Sequence, residues 1–179
     1  DKSAFKQDKI TAKLSHPCIA VVHEVIEGAD GLYVVRDFCR GGDLFERIAK
    51  RANDKNPYQA EQIRPMIRQL FDAVRTMHEQ RVAYLNINSE NVLLRLDDDF
   101  SPIMLTDFAF ASPIQKRRNG RHFSDIKGII NFQAPEMFEG RYTEAADVWA
   151  LGVLLYLMVV CCYPFDPGFN QGAPDSRHV

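Results

Sequence analysis

An α+β domain, helical over most of its length with a β-hairpin near its start, is the fold class the sequence predicts. Three observations predict it. A chain of 179 residues with 46% hydrophobic and 26% charged residues has the composition of a globular protein with room for a sizeable core. Between Ala60 and His78 the apolar residues Ile63, Met66, Ile67, Leu70, Phe71, Val74 and Met77 recur at helical spacing, the mark of an amphipathic helix. Near the start, CIAVVHEVIE and GLYVVRDF are two β-rich runs joined by the turn-forming GADG.

The remaining elements follow in chain order. Residues 3–15 place Phe5, Ile10 and Leu14 at loosely helical spacing, and His16–Pro17 ends that helix. In GGDLFERIAKRA, Asp43 is placed to cap a short helix. Pro65 conflicts with the long helix and is tolerable only near its first turns, where fewer hydrogen bonds are lost. NVLLRL and IMLTDF read as short strands around the acidic turn DDDFSP. Residues 112–128 read as a long polar loop carrying Lys116, Arg117, Arg118, Arg121 and His122. That cluster is either a solvated face or a contact for an acidic partner. Residues 144–162 read as a buried core helix. The apolar run 148–163 falls short of the roughly 20 residues a membrane span requires.

A net charge of −2 gives no reason to expect nucleic acid or an anionic membrane as partner. Cys18, Cys39, Cys161 and Cys162 form no C-x-x-C pair and have no metal-like spacing with the histidines. They are expected to be buried thiols in a reducing, intracellular compartment, the cytoplasm. The polar, charged opening DKSAFKQDKI is unlike a signal peptide.

An ordered set of motifs carries more. LSHPCI (14–19), LYVVRDFCRGGDLFERI (32–48) and SENVLL (89–94) are followed by LTDFAFA (105–111), APE (134–136) and DVWALGVLLY (147–156). In this order and at this spacing the chain resembles the protein kinase domain, and most of all the calcium/calmodulin-dependent group of Ser/Thr kinases. The resemblance implies a kinase-like fold, mostly its helical C-lobe plus a partial N-lobe of one helix and a β-hairpin. On that basis residues 1–38 are a partial N-lobe, 39–165 the C-lobe, and 166–179 a Gly/Pro-rich tail truncated before the last helices. The glycine-rich loop and the lysine strand of the family should precede residue 1.

Phosphoryl transfer depends on positioning phosphates, neutralising charge with metal and accepting the substrate hydroxyl's proton. The resemblance places Tyr84, Leu85 and Asn86 where the family has His, Arg and Asp. Asn86 thus stands at the base position, and an amide oxygen is far too weakly basic to take a proton near neutral pH. Asn88 replaces the lysine that contacts the transferred phosphate. Both asparagines are expected to tie down the loop through side-chain-to-backbone bonds. Asn91 and Asp107 match the two magnesium positions; they either retain metal–nucleotide binding, with ATP and magnesium as cofactors, or are relics bonded locally. Ala109 stands where the family's Asp-Phe-Gly has glycine, a stiffer turn.

Arg36 falls at the back of the adenine pocket. It is expected either to reach toward Asp107 and block the pocket, or to extend into solvent. Gln7 replaces the glutamate that pairs with the lysine. Leu85 has no charge with which to order a loop phosphorylated at Ser112 or Ser124. Asp147, Glu136 and Phe108 are structural by the same resemblance, Asp147 as anchor of the catalytic loop and Phe108 in a stack with Tyr84, Val22 and Thr11. The expectation is a pseudokinase: not an enzyme but a scaffold or allosteric subunit acting through protein partners. A nucleotide-binding domain switched by ATP and a weakly active atypical Ser/Thr kinase are the alternatives.

Overall fold

The computed structural model describes residues 14–98, 100–114, 123–124 and 128–165. Residues 3–13 of the expected helix (Gln7 and Thr11 among them), the basic cluster at 116–122 and the tail lie outside the described residues, and Leu14 and Ser15 are not helical. The first described element is the expected hairpin, β1 (Val22–Glu27) and β2 (Leu32–Arg36), antiparallel with Glu27 opposite Leu32. Its turn closes through Gly28 N donating to Gly31 O at 2.8 Å.

Helix α1 (Leu44–Asn53) starts where Asp43 accepts a hydrogen bond from Glu46 N at 2.8 Å, the N-cap read from the sequence. Helix α2 (Ala60–Glu79) buries Ile63, Met66, Leu70, Ala73, Val74 and Met77 along one face. Its start is secured by a capping box between Gln59 and Gln62, so Pro65 falls early, as its geometry requires. Strand β3 (Val82–Ala83) leads into the loop 84–91. Strands β4 (Val92–Leu94) and β5 (Ile103–Leu105) then pair antiparallel, with Val92 opposite Leu105.

This second hairpin is clamped on both edges. Leu105 N donates to Cys18 O at 2.7 Å and Ala20 N to Leu105 O at 2.8 Å. On the other side Leu94 N donates to Gly42 O and Gly41 N to Leu94 O, each at 2.9 Å. A Cβ at residue 41 would sit 2.3 Å from Leu96 O, so only glycine fits that seam.

Two expectations are corrected here. Residues 112–128 are not loop throughout, because β6 (Ser112–Pro113) pairs antiparallel with β3, a long-range match that no local pattern announces. A 3₁₀ turn (Ile130–Phe132) and the short helix α3 (Pro135–Phe138) then precede α4 (Ala145–Val160). Helix α4 is buried on one face only. Leu151, Leu154, Leu157 and Met158 enter the core, while Val148, Tyr156 and Val159 are exposed. A helix apolar all round announces burial without saying what covers each side, and among the described residues one side stays open. No helix among the described residues is long and apolar enough to cross a membrane.

Candidate active site

The loop 84–91 is held from below by α4. Asp147 is 1% exposed; its Oδ2 accepts Tyr84 N at 2.9 Å and its Oδ1 accepts Leu85 N at 2.7 Å. His78 Nε2, from the end of α2, lies 2.8 Å from the same Oδ2. One carboxylate thus satisfies two buried backbone amides and ties α2 to α4. Leu85 has φ 60, a left-handed conformation that costs a non-glycine residue on the order of 1–3 kcal/mol and persists only when its surroundings enforce it. The paired bonds that Asp147 accepts from the successive Tyr84 and Leu85 amides provide that enforcement.

Beyond Leu85 the loop is held by amides. Asn88 Nδ2 donates to Asn86 O at 3.1 Å, and Asn91 Nδ2 donates to the same carbonyl at 3.0 Å. Asn88 Oδ1 in turn accepts Glu90 N and Asn91 N, both at 3.0 Å. Asn86 differs from its neighbours: its Nδ2 donates to Asp107 Oδ2 at 3.0 Å, joining the loop to the residue that follows β5. Gly128 leaves room for this side chain, since a Cβ there would lie 3.1 Å from Asn86 Oδ1. A small cleft lies beside it, lined in part by Leu85, Asn86, Ile129, Phe132 and Met137.

Asp107 has φ 56 and accepts Ala109 N on Oδ1 at 3.2 Å. Phe108 is buried and meets Tyr84 edge-on, with ring centroids 5.1 Å apart. The Tyr84 hydroxyl donates to Thr106 O. Burial first, then the nearby charges of Asp107 and Asp147, push the Tyr84 phenol well above its ordinary range, so it stays a neutral donor.

Arg36, the last residue of β2, reaches the segment that carries Asp107. Its Nη1 donates to Thr106 Oγ1, one residue earlier, and its side chain stays largely exposed. Of the two expectations for Arg36, the exposed side chain is the one seen: a hydroxyl next to the aspartate takes the bond, and solvent keeps the charge hydrated. Glu136 lies half-buried in the first turn of α3, with no ion-pair partner among the described residues. Thr106, His78 and Gly128 are site residues that sequence reasoning missed. Each acts through a contact far away in the chain, and no local signal marks them.

The site can be tested against magnesium and a nucleotide. Among the described residues no group of three His, Cys, Asp or Glu could hold a metal alone. The oxygens on offer are those of one carboxylate and one amide, so phosphates and water would have to complete a magnesium shell, as that ion prefers. Both residues sit at the same end of the β4–β5 hairpin, where Thr106 N donates to Asn91 O at 3.0 Å. The described bonds of Asn91 use its backbone N–H, its carbonyl and its Nδ2 but not its Oδ1, and Asp107 brings a carboxylate, the acceptor-only group that hard cations favour. The donor set fits a metal carried in with phosphates.

The chain is similar to known protein kinases. The protein kinase domain family matches residues 1–175. Calcium-dependent protein kinase 5 of Plasmodium berghei is 32% identical over 162 residues, 90% of this chain and 27% of that protein. Calcium/calmodulin-dependent protein kinase type 1 of Macrobrachium nipponense is 31% identical over 173 residues, 92% of this chain and 48% of that protein. CBL-interacting serine/threonine-protein kinase 17 of Arabidopsis thaliana is 36% identical over 155 residues, 86% of this chain and 34% of its own length. The chain therefore spans less than half the length of these relatives.

This kinship overturns the expectation that the chain is not an enzyme. The relatives are named as protein kinases, two of them as serine/threonine-protein kinases, and none of these names marks inactivity. That expectation rested on Asn86 at the base position and on the family's glycine-rich loop and lysine lying outside this sequence. General-base help is worth about 10²–10⁴-fold, whereas positioning and charge neutralisation carry most of phosphoryl transfer. With its motifs in family order and its whole described length inside the match, the chain belongs to the protein kinase domain family.

Proposed function

We propose that this domain is part of a Ser/Thr protein kinase of slow turnover, with Asp107 and Asn91 holding magnesium and ATP at the end of the β4–β5 hairpin. The observation that carries this reading is the shared placement of those two residues, fixed by the Thr106 N to Asn91 O bond, with Asn91 Oδ1 outside the described bonds of its residue. ATP with magnesium would supply the phosphoryl group and the charge neutralisation. The chain's own residues hold and orient: Asp147 fixes the loop backbone, and Asn91 Nδ2 fixes the Asn86 carbonyl. Asn86 accepts or donates hydrogen bonds at the base position but takes no proton there. The partners on this reading are protein substrates presenting a Ser or Thr hydroxyl. Free thiols at all four cysteines support a reducing, cytoplasmic setting.

Thermal unfolding of the full-length protein with ATP, with and without magnesium, tests the binding half, because a ligand of the folded state raises its stability. Radiolabel transfer to a Ser/Thr peptide library tests the chemistry. A magnesium-dependent shift and slow transfer, both lost in Asp107→Ala, are expected. No shift at millimolar ATP together with no transfer at high protein concentration would overturn the reading.

A further inference from the structure

Thr106 is held at all three of its polar groups by three different residues. Its N–H donates to Asn91 O, its carbonyl accepts the Tyr84 hydroxyl, and its Oγ1 accepts Arg36 Nη1. Two of these partners belong to the loop 84–91. The third comes from β2, 70 residues away, and is the described side-chain bond that reaches from the first hairpin to the residue preceding Asp107. Asp107 itself is in the left-handed region at φ 56, a conformation an aspartate leaves readily unless its neighbours fix it. Thr106 is buried, whereas Arg36 is largely exposed, so the bond is made by a hydrated cation reaching inward to a fixed hydroxyl.

We infer that Arg36 is a positioning residue: through Thr106 Oγ1 it latches the first hairpin to the Asp107 segment and holds that carboxylate in its metal-binding conformation. The inference rests on the proposed role of Asp107 and gives Arg36 the opposite sense from a pocket block. A blocking arginine would have to leave for nucleotide to enter. A latching arginine stays bonded to Thr106 while the metal binds, and its loss weakens the metal, not the base or ribose contacts. Hydrogen bonds with a charged donor are the stronger class, so removing this one is expected to act on Asp107 by about tenfold.

The test uses the full-length protein with Arg36→Met, Thr106→Val and Thr106→Ser, together with the Arg36→Met/Thr106→Val pair. Magnesium is titrated at fixed ATP, and ATP binding is measured separately without metal. The latch predicts that Arg36→Met and Thr106→Val each raise the half-saturating magnesium concentration about tenfold, with metal-free ATP binding unchanged. Thr106→Ser, which keeps the hydroxyl, should restore the parent value, and the pair should be no worse than either single change. Tighter ATP binding in Arg36→Met, or an unaltered magnesium requirement, would overturn the latch. If the parent itself shows no magnesium-dependent binding, the proposed function fails, and the latch is read from hydrogen exchange at Phe108 and Ala109 without nucleotide. Faster exchange there in both Arg36→Met and Thr106→Val supports it, and unchanged exchange overturns it.

Discussion

The two ends of the loop 84–91 are built from different chemistry. At Tyr84–Leu85 a buried carboxylate, Asp147, gathers two backbone amides and a histidine. At Asn86–Asn91 neutral side-chain amides satisfy one another and the backbone, and one of them reaches a half-buried carboxylate. Fixing the loop's shape and moving a proton are therefore separable demands. An anchor for buried N–H groups needs an acceptor with no competing donor, and only a carboxylate provides that on both of its oxygens. A network of amides is satisfied without any ligand, but it has no member that can take a proton.

The largest expected effect sharpens this contrast. Asn86→Asp should raise the rate of peptide phosphorylation by about 10²–10⁴-fold, the usual worth of a general base. It should also steepen the magnesium requirement, because the new carboxylate would face Asp107 where an amide now donates at 3.0 Å. A variant no faster than the parent would show that the two ends differ less than their chemistry suggests.

Next comes the anchor. Asp147→Asn places an NH₂ donor against backbone amides it cannot accept from, and should lower stability by roughly 3–5 kcal/mol in urea denaturation. A loss below about 1 kcal/mol would mean that the carboxylate is replaceable. Asn88→Ala is milder: it removes the acceptor for Glu90 N and Asn91 N and should cost about 1–2 kcal/mol, with rate affected only through Asn91.

The smallest effect lies at the surface, away from the loop. Hydrogen bonds from Arg75 and then His16 hold the Asp72 carboxyl below its ordinary 3.8. A carboxyl depressed in the folded state lends stability that is complete above its unfolded value and is lost as pH falls through its folded value. Asp72→Asn should therefore lower stability slightly at neutral pH and flatten the acid side of the profile, its difference from the parent closing as pH falls below 3.8. A change at pH 3 larger than that at pH 7 would contradict the assignment.

Elements whose cause lies within a few residues could be read from the sequence. The Asp43 cap, the GADG turn, the periodic face of α2 and the β4–β5 hairpin each rest on short-range spacing, and the structure contains all four. Contacts across long separations could not be read. Nothing near Ser112 announces Val82–Ala83 as its strand partner, and nothing near Arg36 announces Thr106 rather than Asp107. The open side of α4 was hidden for a related reason, since Val148 and Val159 look no different in sequence from Leu151 and Leu154. At the site, residue identities were legible through family motifs, but the bond from Asn86 to Asp107 was not. An asparagine five residues from another can bond in many ways, and only the assembled fold selects one.

The Asp147 anchor also bears on how the molecule folds. Its two bonds to the loop span 63 and 62 residues. Closing so long a segment loses chain entropy that two hydrogen bonds alone cannot offset, so α2 and α4 must dock before the loop can be fixed. The loop then has no stability of its own and opens only when those helices separate. Native-state hydrogen exchange at the Tyr84 and Leu85 amides should follow global unfolding, its rate falling with every stabilising change in the α2–α4 core.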